Sequence, residues 1–153
     1  MPTEHIWLID HNPGKQAIKA LRSQLVAHNI AQAQVDQGQD LAVFVRDTQG
    51  QLVGGVVGWT WGQCLEINYL WVHSNLRGRG YGKRLIRTAE REARARGCCV
   101  AVVDTYSFQA PEFYQELGYQ VFGSVDGYPD GCEKLFLKKR LDLTLIKNKL
   151  EVK

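Results

Sequence analysis

The amino-acid sequence predicts a mixed sheet with helices packed on it, α/β or α+β, in which three antiparallel strands are followed by alternating helices and strands. Three observations carry that expectation. Apolar residues at 41–72 follow strand-like patterns, whereas the flanking segments repeat at helical spacing. Glycine or proline punctuates nearly every change of pattern. A chain of 153 residues, 44% apolar and 23% charged, suits one core, so a single domain over 1–153 is expected, with a basic tail from about 142. That apolar fraction excludes an intrinsically disordered chain. No apolar run approaches the roughly 18 residues of a membrane helix, so no membrane partner is expected.

The elements follow in order. Residues 5–9 are a mainly apolar stretch and read as a short first strand; Asn12-Pro13-Gly14 then punctuates, and Pro13 suits the first turn of a helix. Ile18, Leu21, Leu25 and Val26 form a helical stripe, and the polar passage of Gln32, Gln34, Gln37 and Gln39 reads as a second short helix or a loop. Strands are expected at 41–46, 51–61 and 64–72, the first two joined by a turn at 47–50 and the last two by Gly62-Gln63. Residues 80–96 read as a helix with Leu85, Ile86, Ala89 and Ala93 on one face and Gly97 as its cap. The run at 98–103 is wholly apolar, as in a central strand covered on both faces. Pro111 opens a short helix to Leu117, and strands at 119–123 and 132–137 flank the turn-rich 127–131.

Four cysteines, two of them adjacent at 98 and 99, form no C-x-x-C, and histidines at 5, 11, 28 and 73 offer no zinc spacing. Small buried hydrophobes in a reducing compartment are the expected reading, with no metal. No cationic-then-apolar leader opens the sequence, so a cytoplasmic location is expected. The net charge of +3 hides alternating blocks. Residues 1–71 carry four basic and six acidic side chains (−2), 72–99 eight and two (+6), 100–137 one and six (−5), and 138–153 six and two (+4).

The +6 block is also where glycines converge. Between a strand and a helix runs Arg77-Gly78-Arg79-Gly80-Tyr81-Gly82-Lys83. Such glycines let the backbone approach a ligand, the helix N-terminus adds free N–H donors, and Arg77, Arg79 and Lys83 add charge, so the turn suits a pyrophosphate. A glycine-rich helix cap with a solvated basic face is the plain alternative. A dinucleotide-binding turn gains from Asp104 near the end of the next strand, but it needs a third glycine where Lys83 stands and a parallel strand before the turn. A phosphate loop lacks its Gly-Lys-Ser/Thr.

Arg77-x-x-Gly80-x-Gly82, after the strand end Leu70-Trp71-Val72, resembles the acetyl-coenzyme A motif of the Gcn-related N-acetyltransferases, the GNAT superfamily. Ala110-Pro111-Glu112-Phe113-Tyr114-Gln115-Glu116-Leu117-Gly118-Tyr119 is similar to that family's second signature, and 135–139 resembles its last strand. The order of elements matches from about 5 to 141. The resemblance implies the acyl-coenzyme A N-acyltransferase fold, in which antiparallel strands lead into a central parallel β-α-β unit, with acetyl-CoA as cosubstrate, no metal, and transfer of acetyl to an amine by direct attack.

Site residues follow from it. The amides of 77–83 would hold the pyrophosphate, and Leu70, Trp71 and Val72 would present backbone groups to the pantetheine arm where the family's strands splay. Glu66, eleven residues before Arg77, stands at the spacing of the catalytic glutamate of histone-acetylating members and is the candidate base; a solvated carboxylate is its alternative. Strand alternation puts Glu66, Asn68 and Leu70 on one side unless a bulge intervenes. Tyr114 is the candidate general acid for the departing thiolate, and a plain core tyrosine is its alternative. Ser107 stands where many members carry an asparagine against the pantetheine. Trp59, Trp61 and Tyr69 are candidates to line the acceptor pocket, where aromatic faces attract cations, or are sheet packing. The expected acceptor is a small primary amine. A protein lysine or N-terminus, and a non-catalytic acyl-CoA-binding module, are the alternatives. Without aromatic interleaving in the basic blocks, no nucleic-acid partner is expected; a homodimer is compatible with the family.

Overall fold

The computed structural model describes residues 5–33 and 38–142. The chain divides into two compact units, Met1–Gln37 and Gly38–Lys153. In the first, helix α1 spans Lys15–Ala33, and the Gly14 carbonyl accepts the N–H groups of Ala17 (3.0 Å) and Ile18 (3.3 Å). Pro13 therefore precedes the helix rather than standing in its first turn. Residues 5–14 form neither strand nor helix, against the expected first strand. Four apolar residues, Ile6 to Ile9, do not themselves supply the neighbouring strand that a strand requires. The helix absorbs Gln32, while Gln34 and Gln37 lie outside the described residues, as does the basic tail beyond 142.

The second unit is a six-stranded sheet in the order β1-β2-β3-β4-β6-β5. Its strands are β1 (Gln39–Arg46), β2 (Leu52–Trp61), β3 (Cys64–Val72), β4 (Val100–Tyr106), β5 (Gln120–Val125) and β6 (Lys134–Arg140). β1-β2-β3 is an antiparallel meander, β3 and β4 are parallel across helix α2 (Tyr81–Ala95), and β6 returns antiparallel between β4 and β5. Helix α3 is Pro111–Glu116. The apolar run at 98–103 becomes strand only from Val100, because Cys98 N–H still closes the end of α2 on the Ala93 carbonyl at 2.9 Å.

α2 buries Leu85, Ile86, Ala89, Glu90 and Ala93, the apolar stripe expected of an amphipathic helix. They meet Leu41, Val56, Leu65, Ile67, Ala101, Val103 and Leu137 from the sheet, joined by Tyr114, Leu117 and Tyr119 from the α3 region. Arg96 ties the end of α2 to the sheet, donating to the Asp40 carbonyl (3.1 Å) and Thr60 Oγ1 (3.2 Å). Cys98 is buried, and burial raises its thiol pKa, so it packs as a small hydrophobe.

Two departures from regular pairing shape the sheet. The β2–β3 register shifts so that Val57 faces Tyr69 and Gly58 faces Ile67, leaving Asn68 as an extra, bulged residue. The bulge reverses the alternation expected above. Leu65 and Ile67 face α2 before it and Leu70 and Val72 after it, whereas Glu66, Tyr69 and Trp71 lie on the opposite face. Glu66 and Leu70 thus stand on different sides. Second, β3 and β4 pair only from Cys64 with Val100 to Ile67 with Val103. Beyond that point β3 continues to Val72 and β4 to Tyr106 without pairing, so the two strands form a fork.

Candidate active site

The fork opens into a cleft of about 910 Å³. One wall is Ile67, Asn68, Leu70, Trp71 and Val72 of β3; the other is Val103, Asp104 and Thr105 with Phe108, Gln109 and Ala110; Phe113 and Tyr114 of α3 close the helical side. The glycine turn forms the entrance through Arg77, Gly78, Gly80, Tyr81, Gly82 and Lys83. His73 N–H bonds the Val53 carbonyl on β2 at 2.9 Å, so by strand alternation the N–H and C=O groups of Leu70 and Val72 point into the fork.

The local backbone explains the glycines. Gly78 (φ +71°) and Gly80 (φ +82°) are left-handed, and a Cβ at either would meet nothing of the protein within 4 Å. These positions need glycine for conformation, and they leave open space beside the backbone. Gly80 caps α2, whose first i→i−4 bond runs from Arg84 N–H to the Gly80 carbonyl (3.0 Å), so the N–H groups of Tyr81, Gly82 and Lys83 precede the helical ladder. Arg77 Nε donates to the Val72 carbonyl at 3.0 Å, fixing the turn against β3. Lys83 pairs with Glu116 of α3 at 2.7 Å, clasping the two helices beside the entrance. This set of amides, positive helix end and cations fits a pyrophosphate.

Tyr114 is 8% exposed, edge-on to the rings of Phe113 (5.0 Å) and Tyr119 (5.8 Å). Burial, with the Asp104 charge, pushes its pKa up to about 12. Glu66 is exposed, faces Trp59 in the β2–β3 register, and accepts from Asn68 Nδ2 at 3.5 Å. Trp59 and Trp61 stack at 5.9 Å between centroids. Glu66, Trp59, Trp61, Tyr69, Arg79 and Ser107 are not among the residues that line the cleft. Ser107 Oγ instead accepts the Glu133 N–H at 3.1 Å, and Ser107 N–H donates to the Glu133 carbonyl at 2.8 Å, which fastens the β5–β6 connection to the end of β4.

Several lining residues escaped the motif reading. Asn68 enters the cleft because of the bulge, and Phe113 because it packs beneath Gly82, 3.2 Å from where a Cβ would stand. Asp104 is a wall of the fork rather than the end of its strand. Gln109 Oε1 accepts from Thr105 Oγ1 (3.3 Å) and Tyr106 N–H (3.1 Å), shaping the turn between β4 and α3. Among the described residues no group of three or more His, Cys, Asp or Glu could hold a metal, and no helix is long and apolar enough to cross a membrane.

The sequence pattern of the acetyltransferase (GNAT) family matches residues 8–119. The chain belongs to the GNAT family. It is 43% identical to blasticidin-S acetyltransferase of Streptomyces morookaense over 101 residues, 65% of this chain and 74% of that one. It is 35% identical to an acetyltransferase of Agrobacterium fabrum over 125 residues, 82% of this chain and 91% of the relative. The crystal structure of a proposed acetyltransferase from Agrobacterium tumefaciens superposes with a TM-score of 0.84 at 32% identity, covering 89% of this chain and 99% of that one. As a GNAT protein the chain is an acetyl-CoA-dependent N-acetyltransferase.

Proposed function

We propose that this GNAT enzyme transfers acetyl from acetyl-CoA to the primary amine of a small molecule by direct attack within the forked cleft, in the cytoplasm. The observation that carries the reading is one continuous cleft joining the glycine turn, the strand fork and Tyr114. Blasticidin-S acetyltransferase, a relative named for a small-molecule acceptor, supports the substrate class.

Acetyl-CoA supplies an activated thioester. The amides of 77–83 and the N-terminus of α2 bind its pyrophosphate, and the Leu70 and Val72 backbone groups orient the pantetheine arm and polarise the thioester carbonyl. On the other face of the sheet Glu66 receives, directly or through water, the proton that the acceptor ammonium must lose. The acceptor nitrogen then bonds to the thioester carbon as the carbon–sulfur bond breaks. Tyr114 donates to the departing sulfur. With a pKa of about 12 against roughly 8.5 for a thiol, full transfer even to the released thiolate is uphill by roughly 3 to 4 pK units, so the Tyr114 hydroxyl acts by hydrogen-bonding the sulfur as its charge develops, and solvent completes the protonation.

The test is thiol release from acetyl-CoA over a panel of small amines, lysine peptides and N-terminal peptides. Saturable turnover with small amines, at least tenfold above the peptides in kcat/KM, is expected. Preference for a peptide would replace the acceptor class, and coenzyme binding without turnover on any acceptor would sink the catalytic reading.

A further inference from the structure

The sheet face that carries Glu66 has a second cluster along β4 and β6 that the acetyl-transfer scheme does not use. Lys134 Nζ pairs with Asp104 at 3.0 Å. The same ammonium stands 5.9 Å from the Tyr106 ring centroid and 5.5 Å from that of Phe136. Tyr106 is itself held, stacked on Phe108 at 5.5 Å and edge-on to Tyr128 at 5.0 Å. Asp104 and Phe108 also line the cleft, so the cluster opens directly onto the site.

One carboxylate and two ring faces around an ammonium form a complete recognition unit for an alkylammonium. Here the unit is occupied by a side chain of the protein. Lys134 is held only by surface-strength contacts, because the Asp104 side chain is 48% exposed, and such pairs contribute about 1 kcal/mol or less. An external cation can therefore displace it. The seat also has a fixed offset from the candidate base. Glu66 is level with Val102 across the parallel pair, and Asp104 stands two residues further along β4, about 7 Å along the strand and one strand spacing, about 5 Å, to the side.

We propose that Asp104, Tyr106 and Phe136 seat a second ammonium of the acceptor, so that the preferred substrates are small amines with two cationic centres, and that Lys134 fills the seat in their absence. This rests on the small-amine reading above and names its substrate class. The reacting amine lies toward Glu66 while the second ammonium replaces the Lys134 ammonium, whose long side chain swings into solvent.

Two measurements on the wild type, Lys134→Met and Asp104→Asn test it. The first is the ratio of kcat/KM for an α,ω-diaminoalkane of five or six carbons to that for the alkylmonoamine of equal length. The ratio should exceed ten in the wild type, rise at least fivefold in Lys134→Met and fall at least fivefold in Asp104→Asn. The second is calorimetric binding of 1,6-bis(trimethylammonium)hexane, which cannot be acetylated. Its Kd should tighten at least threefold in Lys134→Met and weaken at least threefold in Asp104→Asn. If the probe follows this pattern while no amine is acetylated, the seat stands and the small-amine reading falls. If amines are acetylated with the same ratio in all three proteins and the probe's Kd is unmoved, the seat is wrong and the acetyl-transfer reading stands.

Discussion

Tyr114 shows how environment turns an ordinary side chain into a candidate reagent. Its ring completes the core beside Phe113 and Tyr119, while it also lines the cleft. Its raised pKa keeps the hydroxyl protonated throughout the neutral range, which is what a donor to sulfur requires. Phenylalanine keeps the ring and removes only the donor. Tyr114→Phe should lower kcat by about 10- to 100-fold, at or below the lower end of the usual range for a lost general acid because its proton is only partly transferred, and leave the KM for acetyl-CoA within about twofold. Steady-state kinetics at saturating amine reads this directly; an unchanged kcat would remove Tyr114 as the donor. Tyr114, Arg77 and the glycines were legible because motif spacing names them. Asp104 was visible as an acid near the end of a strand in a negative block, but not as a wall of the cleft, since the fork depends on where β3 and β4 stop pairing. Ser107 was named by its place seven residues before Tyr114; that its Oγ accepts the Glu133 N–H could not be read from the sequence.

At the scale of elements, the fork and the bulge arise from how β2, β3 and β4 pair, and one glycine makes the bulge possible. A Cβ on Gly58 would lie 2.2 Å from the Glu66 carbonyl oxygen and 3.2 Å from Ile67 Cα, both backbone atoms with no room to yield. Gly58→Ala must therefore push β3 away where it begins to bulge. The expected cost is about 1 to 3 kcal/mol, as for other overpacking changes, together with at least a tenfold loss of kcat/KM, because Asn68 and Leu70 lose their positions. Gly123→Ala, where the added Cβ would meet nothing within 4 Å, is the control and should stay within about 0.5 kcal/mol. Urea unfolding of both variants checks this, and equal stabilities would refute the clash. The strand bounds at 64–72 were readable because Gly62 and Gln63 mark the hairpin and the glycine turn marks the end. The bulge was not, because an inserted residue leaves the composition of a strand unchanged and only the register betrays it. The strand expected at 5–9, which the structure does not form, has a related cause: apolar character is local, but pairing depends on a partner elsewhere in the chain.

Across the second unit as a whole, one buried carboxylate joins helix to sheet. Glu90 of α2 is 2% exposed; it accepts from Tyr119 Oη at 3.0 Å and from Lys139 Nζ at 2.8 and 2.9 Å, and it pairs with Arg94 at 3.4 Å. Tyr119 in turn contacts Tyr114, so the network reaches from the sheet through the core to the cleft. Burial, then the Glu90 charge, raises the Tyr119 pKa, and burial holds Tyr114 up at about 12. In the unfolded chain both phenols ionise from about pH 10. The unfolded state thus sheds protons first. The stability due to these protonated phenols is whole below pH 10 and is lost as pH rises toward the folded values. Each phenol can contribute a slope of up to about 1.4 kcal/mol per pH unit in that window. Tyr119→Phe deletes one of the two ionisations. Its unfolding free energy, measured in urea at pH 9, 10 and 11, should lie below the wild type at pH 9, because a hydrogen bond to a buried carboxylate is gone. It should then fall less steeply by about 1 kcal/mol per pH unit, so the two curves converge toward pH 11. Parallel curves would mean that the Tyr119 proton is not what couples the core to alkaline pH.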